Sequence, residues 1–201
     1  MRAIRHHSYG STEVLELEDV AEPDPGPNDL LVEVRAAGVN PLDFVYRKGV
    51  VEPTALPAVP GSDLAGVVRA TGETVDRFDV GDRVFATGQA ANPVAGYAEL
   101  GVVPAADCAT LPDAVGFETG AALGIPGVTA WRAIADHGDV TPGDTVLVHG
   151  GSGGVGHLAV QLAATAGATV VTTAGSDTAR TRLETLGADA ALDYRSDDLA
   201  E

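Results

Sequence analysis

Gly150-Gly151-Ser152-Gly153-Gly154-Val155-Gly156 decides the architecture of this 201-residue chain. It carries G-x-G-x-x-G at Gly151, Gly153 and Gly156. A lone match to that pattern is weak, and its neighbours make it informative. The apolar, β-branched run at 145–149 reads as a strand, and 154–166 reads as an amphipathic helix. Val155, Leu158, Ala159, Leu162, Ala163 and Ala166 recur there with helical spacing. Gly167 stands where a left-handed C-cap belongs. A strand at 169–173, a helix at 177–186 ending at Gly187, and a strand at 190–193 complete βαβαβ, half of a doubly wound parallel sheet. Glycines let the backbone approach a ligand closely. The helix N-terminus offers free N–H groups to a pyrophosphate, so the pattern points to a dinucleotide.

The second strand indicates which dinucleotide. A site for NAD places an acid about 20 residues after the first glycine, to accept the ribose 2′-hydroxyl. From Thr145 through Ser176 there is no acid, although the chain is rich in them elsewhere. Thr173 and Ser176 offer hydroxyls at the strand end, and Arg180 a guanidinium one turn into the helix, which suits a 2′-phosphate. NADPH is the expected coenzyme. Arg180 and Arg182 also read as solvated helix residues.

Before about residue 112 the texture differs. Leu30, Val32, Val34 and Ala36 alternate with Leu31, Glu33, Arg35 and Ala37, the period of a half-buried strand. Glu22-Pro23-Asp24-Pro25-Gly26-Pro27 is a turn. Further strands are expected at 14–17, 64–70, 83–86 and 97–103, and helices at 118–123 and 128–135. The expected organisation is a mostly β barrel-like domain at 1–112 and a partial nucleotide-binding domain at 113–201, an α/β plus β fold.

Charge and composition narrow the function classes. Twelve basic against 29 acidic residues give a net charge of −17, which disfavours nucleic acid and anionic membrane surfaces. Lys48 is the only lysine, and such an acidic surface suggests adaptation to high salt as readily as an ordinary acidic protein. Met1-Arg2-Ala3-Ile4-Arg5-His6-His7 lacks the apolar core of a secretory signal, and the single Cys108 excludes an internal disulfide. The cytoplasm is the expected compartment.

Several segments taken together resemble the zinc-independent quinone oxidoreductases, the zeta-crystallin branch of the medium-chain dehydrogenase/reductase superfamily. They are Gly38-Val39-Asn40-Pro41-Leu42-Asp43, Pro60-Gly61-Ser62-Asp63-Leu64-Ala65-Gly66, Val80-Gly81-Asp82-Arg83-Val84-Phe85, Gly96-Tyr97-Ala98-Glu99, Gly124-Ile125-Pro126, Thr129-Ala130-Trp131-Arg132-Ala133, and Val148 through Gly156. The resemblance implies a GroES-like N-terminal domain, a Rossmann domain and NADPH-driven reduction of quinones or related conjugated acceptors. It places Asn40 beside the nicotinamide, with Asp43 and Thr129 as polar positioning groups. Their structural readings are a turn at Asn40-Pro41, a helix N-terminal charge at Asp43 and a helix cap at Thr129. Ser152, Gly153, Gly154 and Val155 match the pyrophosphate loop, and Ser176 and Tyr194 match residues near the 2′-phosphate. Zinc-dependent relatives hold the metal with Cys and His where Asn40 and Ser62 stand here, so no metal is expected. Two departures matter. The family's tyrosine two residues after Asp43 is Val45 here, with Tyr46 next to it. A lysine of some relatives is Ala179, with Arg180 following.

The βαβαβ series stops near Leu199-Ala200-Glu201, so the expectation is a C-terminally truncated member whose first parallel strand is an open edge. Three readings stand: a quinone or enone/enoyl-thioester reductase, a binding-only NADPH module, and an interaction protein completed by a partner strand. The resemblance implies a homodimer for the full-length enzyme.

Overall fold

The computed structural model describes residues 1–51, 55–88 and 95–196; the predicted end at Leu199-Ala200-Glu201 lies outside them. The chain divides into two compact units, Met1–Ile125 and Pro126–Glu201.

The first unit is built on a five-stranded antiparallel sheet. Its strands are β3 (Asp29–Gly38), β4 (Asp63–Thr71), β5 (Arg83–Thr87), β6 (Leu100–Pro104) and β7 (Cys108–Thr110), in the order β6-β3-β4-β5-β7. A hairpin of β1 (Arg2–Arg5) and β2 (Glu16–Asp19) accompanies it. The alternation read in β3 is real: Leu30 and Val32 are fully buried and pack with Leu64, Val68, Val84 and Val103. Burying each such side chain stabilises the fold by about 1.5–3 kcal/mol. A Cβ at Gly66 would strike the Glu33 carbonyl, so β4 can lie this close to β3 only with glycine there. α1 (Pro41–Arg47) follows β3, with Pro41 at its first position.

Three elements depart from the sequence reading. The strand expected at 14–17 begins two residues later, after a 3₁₀ turn at Thr12–Val14. The strand expected from 97 starts at Leu100, leaving Tyr97 in the preceding turn. The two helices expected at 118–123 and 128–135 are one: α2 (Phe117–Trp131) runs through Pro126 and continues as a π-helical turn, Arg132–His137. Thr129 is therefore inside a helix rather than capping one. Proline disturbs the helical hydrogen-bond ladder, and here the neighbouring Ile125 N–H donates to the Asp63 carboxylate at 2.9–3.0 Å.

The second unit holds β8 (Thr145–Val148), α3 (Gly156–Thr165), β9 (Thr169–Ala174), α4 (Asp177–Thr185) and β10 (Ala190–Asp193), a parallel sheet in the order β10-β9-β8. Gly167 and Gly187 take φ of +87° and +110° at the helix ends, the left-handed caps expected from the sequence. The buried face of α3 is Gly156, Ala159, Val160 and Ala163, slightly rotated from the predicted stripe. Small residues bring the helix close to the sheet, and Leu158 and Leu162 flank the contact. β8 has one neighbour among the described residues, and Leu147 on it is 54% exposed. No helix among those residues is long and apolar enough to cross a membrane.

Candidate functional site

In the first unit, a buried polar cluster forms where β3, α1 and β4 meet. Asn40 precedes α1, and its backbone N–H donates to Asp43 Oδ2 at 2.7 Å. Asp43 Oδ1 accepts from the Ser62 amide at 2.9 Å and from the Ser62 hydroxyl at 2.7 Å, and the Tyr97 hydroxyl donates to Oδ2 at 3.2 Å. Asn40 Nδ2 donates to Asp63 Oδ2 at 2.7 Å. Asn40, Asp43, Ser62 and Asp63 are all buried. Asn40 thus presents Nδ2, the donor end of its carboxamide, to Asp63. The result is a carboxamide dipole held in one orientation by residues that are themselves held.

Burial raises the pKa of the Asp63 carboxyl, partly offset by its bonds from Ile125 and Asn40. Burial and the Asp43 charge push the Tyr97 phenol upward, so it stays a donor at neutral pH. Each carboxylate oxygen of the cluster already accepts a hydrogen bond, and the Ser62 hydroxyl donates. Asn40 and Ser62 offer this cluster an amide and a hydroxyl, which are not the thiolate, imidazole or carboxylate donors that zinc takes. Elsewhere among the described residues, His7, Glu16 and Glu18 converge at the surface, where Arg5 already pairs with Glu18 at 2.9 Å.

In the second unit, the glycine loop is pinned to β9. The Gly151 N–H donates to the Thr173 carbonyl at 3.0 Å, and the Gly150 N–H to the Thr173 hydroxyl at 2.9 Å. Thr173 is 3% exposed and sits behind the loop, holding it. The glycines divide by role. A Cβ on Gly151 would strike the Thr172 hydroxyl, and one on Gly156 the Gly150 carbonyl, so packing excludes side chains at both. A Cβ on Gly153 would meet only the Gly150 carbonyl at 3.3 Å, and one on Gly154 nothing nearer than Pro126 at 3.8 Å. Neither has a positive φ. Apo packing gives Gly154 no reason to lack a side chain, whereas close approach of a phosphate does. The loop fits a dinucleotide.

Around it, Ser176 caps α4 by accepting from the Ala179 N–H at 3.3 Å, and half-exposed Tyr194 lies against Gly175. Val155 is partly exposed where α3 begins. Arg180 forms ion pairs with Asp177 and, at 3.5 Å, with Asp193. The structure thus brings Asn40 and Asp43 together, and the loop residues with Thr173, while Thr129 lies exposed on α2 in the second unit. Asp63 and Tyr97 are the additions. The sequence shows them only as letters in the family's motifs.

The alcohol dehydrogenase GroES-like domain family matches residues 26–113, and the zinc-binding dehydrogenase family matches residues 154–201. A quinone oxidoreductase of Lama guanicoe is 41% identical over 199 residues, covering 98% of this chain and 59% of that protein. The crystal structure of Escherichia coli quinone oxidoreductase complexed with NADPH superposes with a TM-score of 0.86 at 31% identity, over 99% of this chain and 60% of that one. A structure described as an NAD-dependent alcohol dehydrogenase gives 0.89 at 36% identity, over 98% and 65%. The chain spans about 60% of the length of such relatives.

Proposed function

The chain belongs to the medium-chain dehydrogenase/reductase superfamily, and from that premise we propose that it serves NADPH-dependent, zinc-independent reduction of quinones or related conjugated carbonyl acceptors. The observation that carries this reading is the glycine loop, whose Gly154 lacks a side chain that the fold itself would accommodate. NADPH, when bound, supplies the hydride that, with one proton, takes a quinone to its hydroquinone. The protein's part is binding and orientation. Gly151 through Gly156 hold the pyrophosphate, with Thr173 fixing the loop from behind, and Ser176, Tyr194 and the arginines of α4 stand toward the ribose phosphate. Asn40 orients the reacting groups through a carboxamide locked by Asp63, and Asp43 fixes Asn40's backbone. Thr129 is a further polar positioning group. An electron-poor acceptor needs no Lewis acid, which agrees with an amide at Asn40 and a hydroxyl at Ser62 rather than zinc's usual donors.

A conjugated alkene is the second acceptor class, and one observation favours it: the Tyr46 hydroxyl is buried with no hydrogen-bond partner among the described residues. Protonation at an α-carbon needs such a donor. Stopped-flow NADPH oxidation with 1,4-benzoquinone and with a simple enone, each with and without chelator, tests both. Quinone-dependent oxidation that ignores the chelator is the expected result. Absence of saturable NADPH binding would overturn the proposal, and turnover of the enone alone would move it to the second class.

A further inference from the structure

From Thr145 through Ser176, a stretch that holds β8, the glycine loop, α3 and β9, the chain has no lysine, arginine, aspartate or glutamate. A pyrophosphate laid on the loop therefore meets backbone amides there, with no fixed side-chain charge from that stretch. Two imidazoles, His149 and His157, are its only side chains that gain a proton between neutral and mildly acid pH. They stand in different places. His149 lines a cavity with Ile134, Val146 and Leu147. His157, in the first turn of α3, lines a cavity of about 320 Å³ with Ser152, Gly153 and Gly154.

His157 is tied to the loop twice. Its backbone N–H donates to the Gly153 carbonyl at 3.1 Å, and its Nδ1 lies 2.9 Å from the same oxygen. A carbonyl only accepts, so Nδ1 carries the proton, and in the neutral ring Nε2 is a bare lone pair. Across a trans peptide the N–H points opposite to the C=O. With the Gly153 carbonyl turned to His157, the Gly154 N–H on the same peptide faces away from the body of α3, and it makes no hydrogen bond among the described residues. The wall from α4 supplies Ala179, Arg182, Leu183 and Leu186, so Arg182 is the charged group opposite the imidazole and no carboxylate lines the cavity.

We propose that His157 makes coenzyme binding proton-linked, taking up a proton at Nε2 when a dinucleotide pyrophosphate occupies the loop. This rests on the dinucleotide reading of the loop and adds its regulation. The lone pair of Nε2 repels phosphate oxygens, whereas the imidazolium keeps its Nδ1 bond to Gly153 and turns Nε2 into a charged donor. The pyrophosphate's negative charge favours that imidazolium even at a helix N-terminus opposite Arg182. The proton comes from solvent. Mild acid thus tightens the hold on NADPH and NADH alike, because both carry the pyrophosphate.

Binding, not turnover, tests it. NADH is the probe, because it lacks the 2′-phosphate, a monoester that itself titrates at about pH 6. Its dissociation constant is measured by fluorescence from about pH 6 to about pH 8.5, for the intact chain, His157→Gln and His149→Gln. Calorimetry in buffers of different ionisation heat counts the protons taken up on binding. The intact chain is expected to bind NADH about threefold or more tighter at the acid end, with net proton uptake. His157→Gln should abolish both the pH slope and the uptake, while His149→Gln keeps them. His157 is partly exposed, so an unchanged melting temperature is expected of its variant, and the calorimetry of the intact chain decides whether or not a variant folds. NADH binding without proton uptake, a slope that survives His157→Gln, or one lost with His149→Gln instead would overturn the proposal and leave the dinucleotide site standing. A chain that binds neither NADPH nor NADH at any pH overturns the reading of the loop, and this inference with it.

Discussion

Two glycines three positions apart separate what the fold requires from what a ligand requires. Gly151 sits over the Thr172 hydroxyl, which donates to the Val148 carbonyl at 2.8 Å and links the two strands beneath the loop. Gly151→Ala must displace that hydroxyl or the loop, so it should cost about 1–3 kcal/mol and lower the melting temperature by several degrees. Gly154 has open space, so Gly154→Ala should melt at or slightly above the wild-type temperature. Its cost should appear only in binding: a methyl group standing where a phosphate approaches weakens NADPH by about tenfold or more. Thermal melts and NADPH titrations on the same two proteins check both halves. A Gly154→Ala chain that binds like wild type would show that nothing approaches the loop there.

Asp63 shows how a single carboxylate joins elements that local sequence cannot connect. It begins β4, receives Asn40 at the head of α1, and receives Ile125 from α2 beside Pro126. Gly124 permits this, since a Cβ there would collide with the carboxylate. The loop, both left-handed caps and the parallel order of β8, β9 and β10 were legible in the sequence because strand, glycine turn and helix are set within a few residues. The continuity of α2 was not, because the acceptor that tolerates Pro126 lies 62 residues away, and the Tyr97 contact to Asp43 spans 54. For the same reason Asn40 and Asp43 could be named from a motif, but not the residues that hold them. The carboxyl also makes the cluster sensitive to pH. Burial raises its folded pKa, so folding is favoured by its proton: that contribution is complete below the ordinary carboxylate range and is lost as pH rises through the raised folded value. Asp63→Asn does not titrate. The urea midpoint of Asp63→Asn minus that of wild type should therefore increase as pH rises above the ordinary carboxylate range. A difference that is flat, or that shrinks with pH, would mean that burial does not govern this carboxyl.

Over the molecule as a whole, charge is far from balanced, at −17. Ion pairs among the described residues engage Glu18, Glu33, Glu99, Asp113, Asp177 and Asp193. With 12 basic residues against 29 acids, no rearrangement of side chains can neutralise the rest. Exposed pairs each contribute little, about 0–1 kcal/mol, whereas repulsion among many like charges adds over the surface. Screening shortens its range from about 8 Å in physiological salt to about 3 Å at 1 M. The melting temperature should therefore climb by at least about 3 °C between dilute buffer and molar KCl. The shape of the rise identifies its cause. Charge screening acts steeply below about 0.5 M and then saturates as the screening length falls below the spacing of surface charges. Exclusion of salt from apolar surface would instead add steadily with concentration. A curve that rises early and flattens supports an acid-coated surface relieved by salt. A melting temperature that does not move, or that falls, would show that the folded chain already tolerates its −17 charge.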